Sequence, residues 1–280
     1  MSDDAPSAVS LLVGIAGIGL LGPGLADWDG GRASLRDPAN WQSAPTLVAA
    51  PARLPANERR RAGTVVKASV AVADQACAMA GVDPATLATV FTSSTGDPAN
   101  CHALCEALAT AGRAVSPTRF TNSVHNAASG YWHIAVQGRQ ASTSLAGLDA
   151  SVGAGLLEAM AQCASAQRPV LLVACDLPYP EPLHTLRPVA DVFAFALLLT
   201  PDVGPGQASL TLALGGDLPV SACDAPALER LRQSIPAARA LPLLQALARG
   251  SAAALVIDAQ SPLTLQLRVA GGDAAVAAAP

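Results

Sequence analysis

Aromatic and charged side chains are both scarce in this 280-residue chain, at 3% and 14% of the residues. With so few aromatic residues, a core must be built from Ala, Leu and Val. A formal net charge of −4, without a basic stripe interleaved with aromatic residues, argues against nucleic-acid binding. Hydrophobic residues make up 51% of the chain, which is enough for a large core. This composition is typical of a soluble α/β protein with tightly packed layers.

The chain also lacks a typical secretory signal, although residues 5–26 carry no charge. A signal begins with positive charge, whereas residues 1–4 are acidic, and Gly and Pro interrupt the apolar run. We therefore expect a buried strand followed by a turn, and no insertion into a membrane. The six cysteines are scattered, so we expect reduced thiols in a cytoplasmic protein; they are Cys77, Cys101, Cys105, Cys163, Cys175 and Cys223.

Hydrophobic periodicity predicts strands that alternate with helices through the first 180 residues. This order favours a parallel or mixed sheet covered on both faces. Residues 192–200 and 209–214 resemble an antiparallel pair, and residues 27–55 resemble surface loop. The predicted strands are 8–16, 88–93, 142–148, 169–175, 192–200, 209–214, 253–258 and 263–269; the predicted helices are 56–81, a short one from Asp83, 97–111, 122–137, 150–164, 226–233 and 241–250.

The segment Gly17-Ile-Gly-Leu-Leu-Gly22 fits the dinucleotide-binding fingerprint in its spacing. That motif requires a helix whose N-terminus is aimed at a pyrophosphate. Here Pro23 and Gly24 follow at once and no helix begins, so a plain glycine-rich turn is the better interpretation.

Cys101 and Cys105 lie one helical turn apart, with His102 rotated away from them. Zinc needs four ligands, usually in two spaced pairs, and no second pair is near in the sequence. We expect a buried pair of free thiols and no metal.

Arg59, Arg60 and Arg61 follow one another at a predicted helix start, for which Asn57 is the candidate cap. Consecutive helical residues point in different directions, so the three cannot share one face. The structural interpretation is a solvated helix end. The functional one is a docking point for an anionic partner, such as an acidic carrier protein.

Two segments concentrate the polar chemistry of the chain, namely residues 120–132 and 142–158. The second segment is predicted to form a strand, a sharp turn and a helix. We call this turn the elbow, because it can present a side chain at the N-terminus of the helix. Asp149 stands at this elbow and would either cap the helix or face a pocket. A carboxylate there is a poor acyl acceptor. Ser151 or Ser129, with His125 as a base, remains an alternative nucleophile.

These segments resemble the β-ketoacyl synthase family, and the likeness covers roughly residues 10–200. Residues 13–19 resemble the opening strand of that family, residues 116–132 its dimer-interface segment, and residues 142–158 the strand and helix that carry its cysteine. Residues 169–176 resemble the following core strand. Arg59–Arg61 and the signature Phe120-Thr-Asn-Ser-Val-His-Asn-Ala127 are similar to a branch associated with aryl polyene pigment clusters, in which some members are described as chain-length factors.

The resemblance implies a thiolase-like α/β fold with αβαβα layers. It would form a single domain over residues 1–280, with a synthase-like half at about 10–190 and a reduced half at about 191–280. Where active members have cysteine, this chain has Asp149. Active members also use two histidines in their C-terminal half, whereas His184 is the last histidine here.

The sequence therefore predicts a non-catalytic subunit that pairs with an active ketosynthase and with an acyl carrier protein, without a cofactor. By resemblance, the interface candidates are Phe120, Asn122, His125, Asn126 and Trp132, and the carrier-docking candidates are Arg59–Arg61. Two alternatives remain open. One is an autonomous acyl-thioester hydrolase or acyltransferase using Ser151 and His125, and the other is a homodimeric protein that binds acyl groups or a carrier.

Overall fold

A computed structural model describes residues 10–260 and 262–272 of the chain. The strands in these ranges form one mixed sheet in the order β3-β2-β4-β5-β1-β6-β8-β7. β2, β3 and β4 are mutually parallel, and the remaining neighbours pair antiparallel. The strands are β1 (Ser10–Leu21), β2 (Ala88–Thr92), β3 (Ser142–Leu145), β4 (Val170–Asp176), β5 (Phe193–Thr200), β6 (Ala208–Gly215), β7 (Ala253–Gln260) and β8 (Leu263–Ala270).

Helices cover both faces of the sheet, as its apolar central strands require. Along β4, Val170 and Leu172 join the core on one face, whereas Leu171 and Val173 join the core on the other. This explains why β4 is apolar at every position and not only at alternate ones. The helices are α1 (Trp28–Arg36), α2 (Ala56–Arg61), α3 (Thr64–Ala80), α4 (Pro98–Ala109), α5 (Pro117–Thr121), α6 (Ala127–Val136), α7 (Ser151–Ala166), α8 (Leu183–Leu186), α9 (Pro226–Ser234) and α10 (Leu241–Arg249).

The sheet curves so that β7 returns over helix α7. A Cβ atom at Gly153 of α7 would overlap the carbonyl oxygen of Asp258 in β7, so the helix and the strand touch through their backbones. The other side of α7 packs on β2 and β4. In the described residues, α3 covers one face of the central strands, α7 covers the other face, and β7 lies on the far side of α7. This arrangement agrees with the predicted layered α/β architecture.

A strand followed by a turn is present as predicted, but Gly17 and Gly19 lie inside β1, and the turn comes after it at residues 22–25. Cβ atoms at Gly17 and Gly19 would overlap the carbonyl oxygens of Ala76 and Val72, so these glycines let α3 cross β1 at close range. The fingerprint spacing is thus explained by packing. Residues 8 and 9 of the predicted first strand, and the acidic segment 1–4, lie outside the described residues.

Other predicted elements need correction. Residues 27–55 contain α1, whose first turn is capped by Asp27 through a 2.7 Å hydrogen bond from the Gly30 amide. The predicted helix over 56–81 is divided at residues 62–63, and Pro55 and not Asn57 is its N-cap residue. β5 and β6 do not pair with each other, because β1 lies between them. None of the helices in the described ranges has the length and apolar character needed to cross a membrane.

Candidate functional site

The predicted elbow is present between β3 and α7. Leu148 has a φ of +50°, a left-handed conformation that costs roughly 1 kcal/mol or more for a residue with a branched side chain. Ser151 holds the turn: its Oγ accepts a hydrogen bond from the Gly147 amide at 3.0 Å and donates to the Leu148 carbonyl at 2.6 Å. The turn therefore has one defined shape, and it presents Leu148 and Asp149 outward.

Asp149 forms ion pairs with two arginines. Its Oδ1 lies 2.7 Å from Nη2 of Arg187 and its Oδ2 lies 3.3 Å from Nη2 of Arg239, while its side chain remains 56% exposed. It does not cap α7, because the N-cap residue is Ala150. The capping interpretation is therefore wrong. A carboxylate with both oxygens engaged by guanidinium groups is a poor nucleophile.

The two arginines extend this ion-pair network to distant segments. Arg187 also donates to Oγ of Ser94 at 2.7 Å, and its guanidinium lies 5.9 Å from the ring centroid of Tyr179. Arg239 also forms an ion pair with Asp258 of β7. Ion pairs thus join the elbow to the loop before β5 through Arg187 and to β7 through Arg239. A hydrogen bond from Arg187 to Ser94 extends the network to the loop after β2.

A cavity of about 280 Å³ lies beside the elbow, at the carboxyl ends of β2 and β4. Its walls come from the loop 93–97, the turn 122–125, Ala146 at the elbow and Cys101 of α4. Open crevices at the carboxyl ends of parallel strands are the usual ligand positions in α/β sheets.

Asp176, the last residue of β4, is a buried carboxyl group that the sequence analysis did not single out. Its Oδ1 accepts hydrogen bonds from the amides of Ser94 and Thr95 at 2.7 and 2.9 Å, and from the hydroxyls of Ser93 and Thr95. Burial raises its pKa to about 6, against the opposing effect of these hydrogen bonds. Asp176 therefore orders the loop that borders the cavity. The signal for it in the sequence is a charged residue that ends an otherwise apolar strand.

Comparison with known proteins agrees with this architecture. Residues 33–266 match the family model described as β-ketoacyl synthase, N-terminal domain. The chain belongs to the β-ketoacyl synthase family. No curated protein sequence matches it.

Solved structures of ketosynthases have the same thiolase-like fold as this family member. One is the ketosynthase ApeO in complex with its chain length factor ApeC from Xenorhabdus doucetiae, with a TM-score of 0.71, 22% identity, and coverage of 92% of this chain and 99% of that one. Another is a β-ketoacyl synthase from Burkholderia phymatum STM815, with a TM-score of 0.67, 13% identity, and coverage of 94% and 100%. A third is the ishigamide ketosynthase/chain length factor, with a TM-score of 0.68, 13% identity, and coverage of 93% and 99%.

The serines proposed as alternative nucleophiles in this β-ketoacyl synthase homologue are occupied by local hydrogen bonds. Ser151 is buried and holds the elbow turn. Oγ of Ser129 donates to the Asn126 carbonyl at 2.9 Å and lies 3.2 Å from Oγ of Ser144. Within residues 10–260 no hydrogen bond joins His125 to either serine, so the structure does not assemble the serine–histidine pair.

The predicted interface residues divide into exposed and buried groups. Phe120 is 68% exposed, and His125 and Asn126 are also exposed. Trp132, in contrast, has no exposed surface. Asn122 is buried too: its Oδ1 accepts from the Tyr131 hydroxyl at 3.1 Å and its Nδ2 donates to the Arg61 carbonyl at 2.9 Å. The prediction of a contact surface is therefore corrected for Trp132, which lies in the core, and for Asn122, whose buried side chain forms hydrogen bonds at the cavity wall.

The three consecutive arginines have different surroundings. Arg59 donates to the carbonyl oxygen of Leu54 at 3.0 Å and so holds the preceding loop. Arg60 and Arg61 are exposed, and Arg61 forms a long ion pair of 3.7 Å with Glu58. Two of the three candidates therefore present charge to solvent.

The cysteine pair of α4 lies on the surface and not in the core, contrary to the prediction. Cys101 and Cys105 are exposed, because only Pro98 and Asn100 of that helix are buried. Partial burial and the neighbouring Cys105 raise the pKa of Cys101. Across the described ranges, no group of three or more acidic, histidine or cysteine side chains is arranged to hold a metal ion.

Proposed function

We propose that this chain is a non-catalytic ketosynthase-like subunit, a chain-length factor that pairs with an active β-ketoacyl synthase. The observation that carries the proposal is Asp149. In the family resemblance it stands at the cysteine position, and in the structure its two oxygens are bound by Arg187 and Arg239. Neither a thiolate nor an activated hydroxyl is available at the elbow, so an acyl group has no acceptor there.

The histidines support the same proposal. Decarboxylative condensation in active family members uses two histidines of the C-terminal half, whereas His184 is the last histidine of this sequence. His125 lies on the rim of the cavity, and within residues 10–260 no hydrogen bond joins it to either candidate serine. The hydrolase alternative therefore has no geometric support in the described residues.

Exposed apolar residues around the cavity support a partner. We propose that Phe120, Val124, Leu148 and the outer edge of β3 lie on one surface, which we call the partner face. All three side chains are more than half exposed, and β3 pairs with β2 on one side only. An open strand edge beside apolar side chains is a typical site for association with another chain. Side chains projecting from this face would set how long an acyl chain fits between the subunits.

The exposed arginines support docking of an acidic carrier protein. The hydrogen bond from Asn122 to the Arg61 carbonyl places the end of α2 beside the turn 122–125 that borders the cavity. A carrier bound by Arg60 and Arg61 would therefore have its acyl arm near the cavity. Positive charge at such a mouth accelerates association with an acidic partner.

We also propose the setting in which the subunit acts, in keeping with the family match and the similar solved structures. The pathway is polyene or fatty-acid-like chain elongation, in the cytoplasm. The functional unit is one thiolase-like domain over residues 1–280, in which residues 191–280 form the reduced second half.

The first experiment is co-expression with the ketosynthase encoded nearest to this gene, followed by affinity capture and native mass measurement. We expect a one-to-one complex in which elongation needs both chains and only the cysteine of the ketosynthase. A free homodimer, beside a ketosynthase that is fully active alone, would contradict the proposal and favour the homodimeric carrier-binding alternative.

The partner face is tested with the double variant Phe120→Ala and His125→Ala. We expect at least tenfold weaker binding to the ketosynthase, or a change in product length, because a large exposed aromatic side chain is lost from the interface centre. The control is Leu214→Ala, which removes an apolar side chain of similar exposure from β6. If the double variant matches the control in both measurements, the assignment of this face is wrong.

A further inference from the structure

The loop between β4 and β5 is poorly anchored by apolar contacts in its middle. Leu177, Val189 and Val192 are buried near its ends, whereas Leu183 and Leu186 are 46% and 82% exposed. The short helix α8 within this loop buries none of its residues. The position of the exposed segment must therefore be fixed largely by polar contacts.

Arg187 supplies those contacts immediately after α8. It bonds Asp149 at the elbow and Ser94 on the cavity wall, both at 2.7 Å. Ser94 lines the cavity together with Val124 and His125. Through Arg187, the loop is therefore held against the cavity and beside the partner face.

Asp149 is the one member of this network that joins its two arginines. Arg239 retains its ion pair with Asp258 when Asp149 is neutralised, whereas Arg187 retains the uncharged Ser94 hydroxyl and Tyr179 ring and, within the described residues, no ion pair. Removal of the carboxylate would therefore release the loop at Arg187 and leave in place the buried 3-10 helix Pro236–Ala240 that carries Arg239. The position of Arg187 therefore depends on Asp149 more than the position of Arg239 does, and this difference can be measured.

We propose that Asp149 is a positioning residue that clamps the loop 177–192 through Arg187, and so fixes the surface that a partner subunit meets around the cavity. The position that holds the nucleophile in active relatives is here a structural clamp between the elbow, the loop and the C-terminal strands. The part of this inference that concerns partner binding rests on the proposed function; the clamp itself does not.

The clamp is tested in the free chain by hydrogen exchange of Asp149→Asn, with Asp217→Asn as the control because Asp217 is an exposed carboxylate on a surface loop. We expect about fivefold faster exchange at residues 183–187, the size expected when partly exposed ion pairs are lost. Exchange at residues 236–240 should not change. In the wild type, raising salt from low to high concentration should speed exchange at 183–187, and this salt effect should vanish in Asp149→Asn.

The role in binding is tested by the affinity of the same variants for the co-expressed ketosynthase. We expect Asp149→Asn to bind about fivefold more weakly than the wild type and Asp217→Asn to bind equally well. Unchanged exchange at 183–187, or an equal change at 236–240, would overturn the clamp. Faster exchange with unchanged affinity would overturn its role in the partner surface. Failure of the wild type to form any complex would count against the proposed function, and the exchange result would still decide the clamp.

Discussion

Asp149 is an ion-paired carboxylate at an elbow of defined shape. The turn, the left-handed Leu148 and the Ser151 hydrogen bonds are all present, yet the outward side chain is an ion-paired carboxylate. We predict that Asp149→Cys will not restore condensation, because no histidine follows residue 184. The measurement is carbon dioxide release from a malonyl carrier thioester, with thiol alkylation as proof that Cys is accessible. Sustained turnover by the variant would contradict the non-catalytic assignment.

Asp176 predicts a pH dependence of stability with a defined sign. Its folded-state pKa of about 6 lies above the ordinary value of 3.8, so between these values the folded protein binds more protons than the unfolded chain. Its contribution to the free energy of unfolding is therefore present below about pH 4 and lost as the pH rises through about 6.

Asp176→Asn should remove that dependence, because the amide oxygen can accept the same four hydrogen bonds without ionising. We expect the change in unfolding free energy between pH 4 and pH 7 to differ from that of the wild type by about 2–3 kcal/mol. Denaturant unfolding across this pH range makes the measurement, with Asp217→Asn as the control. Parallel pH profiles for Asp176→Asn and the wild type would show that the carboxyl group titrates normally.

At the scale of elements, β1 and α3 approach each other through their backbones. We predict that Gly17→Ala will lower the free energy of unfolding by about 1–3 kcal/mol, because its Cβ would overlap the backbone of α3. Gly130→Ala in α6 is the matched control, since its Cβ would meet open space. The control should stabilise the protein by up to about 1 kcal/mol through helix propensity. Thermal denaturation compares the two, and equal melting temperatures would refute the packing explanation.

The sequence predicted most elements because local patterns determine them. The apolar run of β4 and the small residues that open α7 appear where hydrophobic periodicity placed them. The helix α1 was missed because two of its nine residues are glycine and its apolar residues are few, so its stability comes from packing against α10. The pairing of β5 and β6 was misjudged because β1, which separates them, comes about 170 residues earlier in the chain.

The candidate site was predictable only where neighbouring residues in the sequence determine the position of a side chain. Asp149 could be placed at the elbow from its neighbours in sequence, and Phe120 and His125 could be placed on a surface by resemblance. The arginines that bind Asp149 are 38 and 90 residues away along the chain, and no local pattern reports such contacts. Trp132 was placed on the contact surface by its position in a motif, but its side chain is buried in the core. A motif position does not show which way a side chain points.

For the whole molecule, the partner face predicts how the isolated chain behaves. We expect it to self-associate at high concentration, because apolar side chains and an open strand edge are exposed together. Phe120→Asp should suppress this association, whereas Leu214→Asp, on a different surface, should not. Light scattering after gel filtration over a hundredfold range of concentration makes the comparison. A wild-type chain that stays monomeric throughout would show that the face is too small to drive association alone.

The central place of β1 in the sheet sets the order of events during synthesis. β1 is made first, yet its two neighbours are β5 and β6, which end at residues 200 and 215. At roughly 5–20 residues per second, a ribosome needs about 10–40 s to supply them. During that interval the nascent β1 cannot complete its pairing, and such long-range contacts make folding slow. The segments of the partner face emerge well before the sheet can close, so their apolar side chains are exposed for most of the time that synthesis takes.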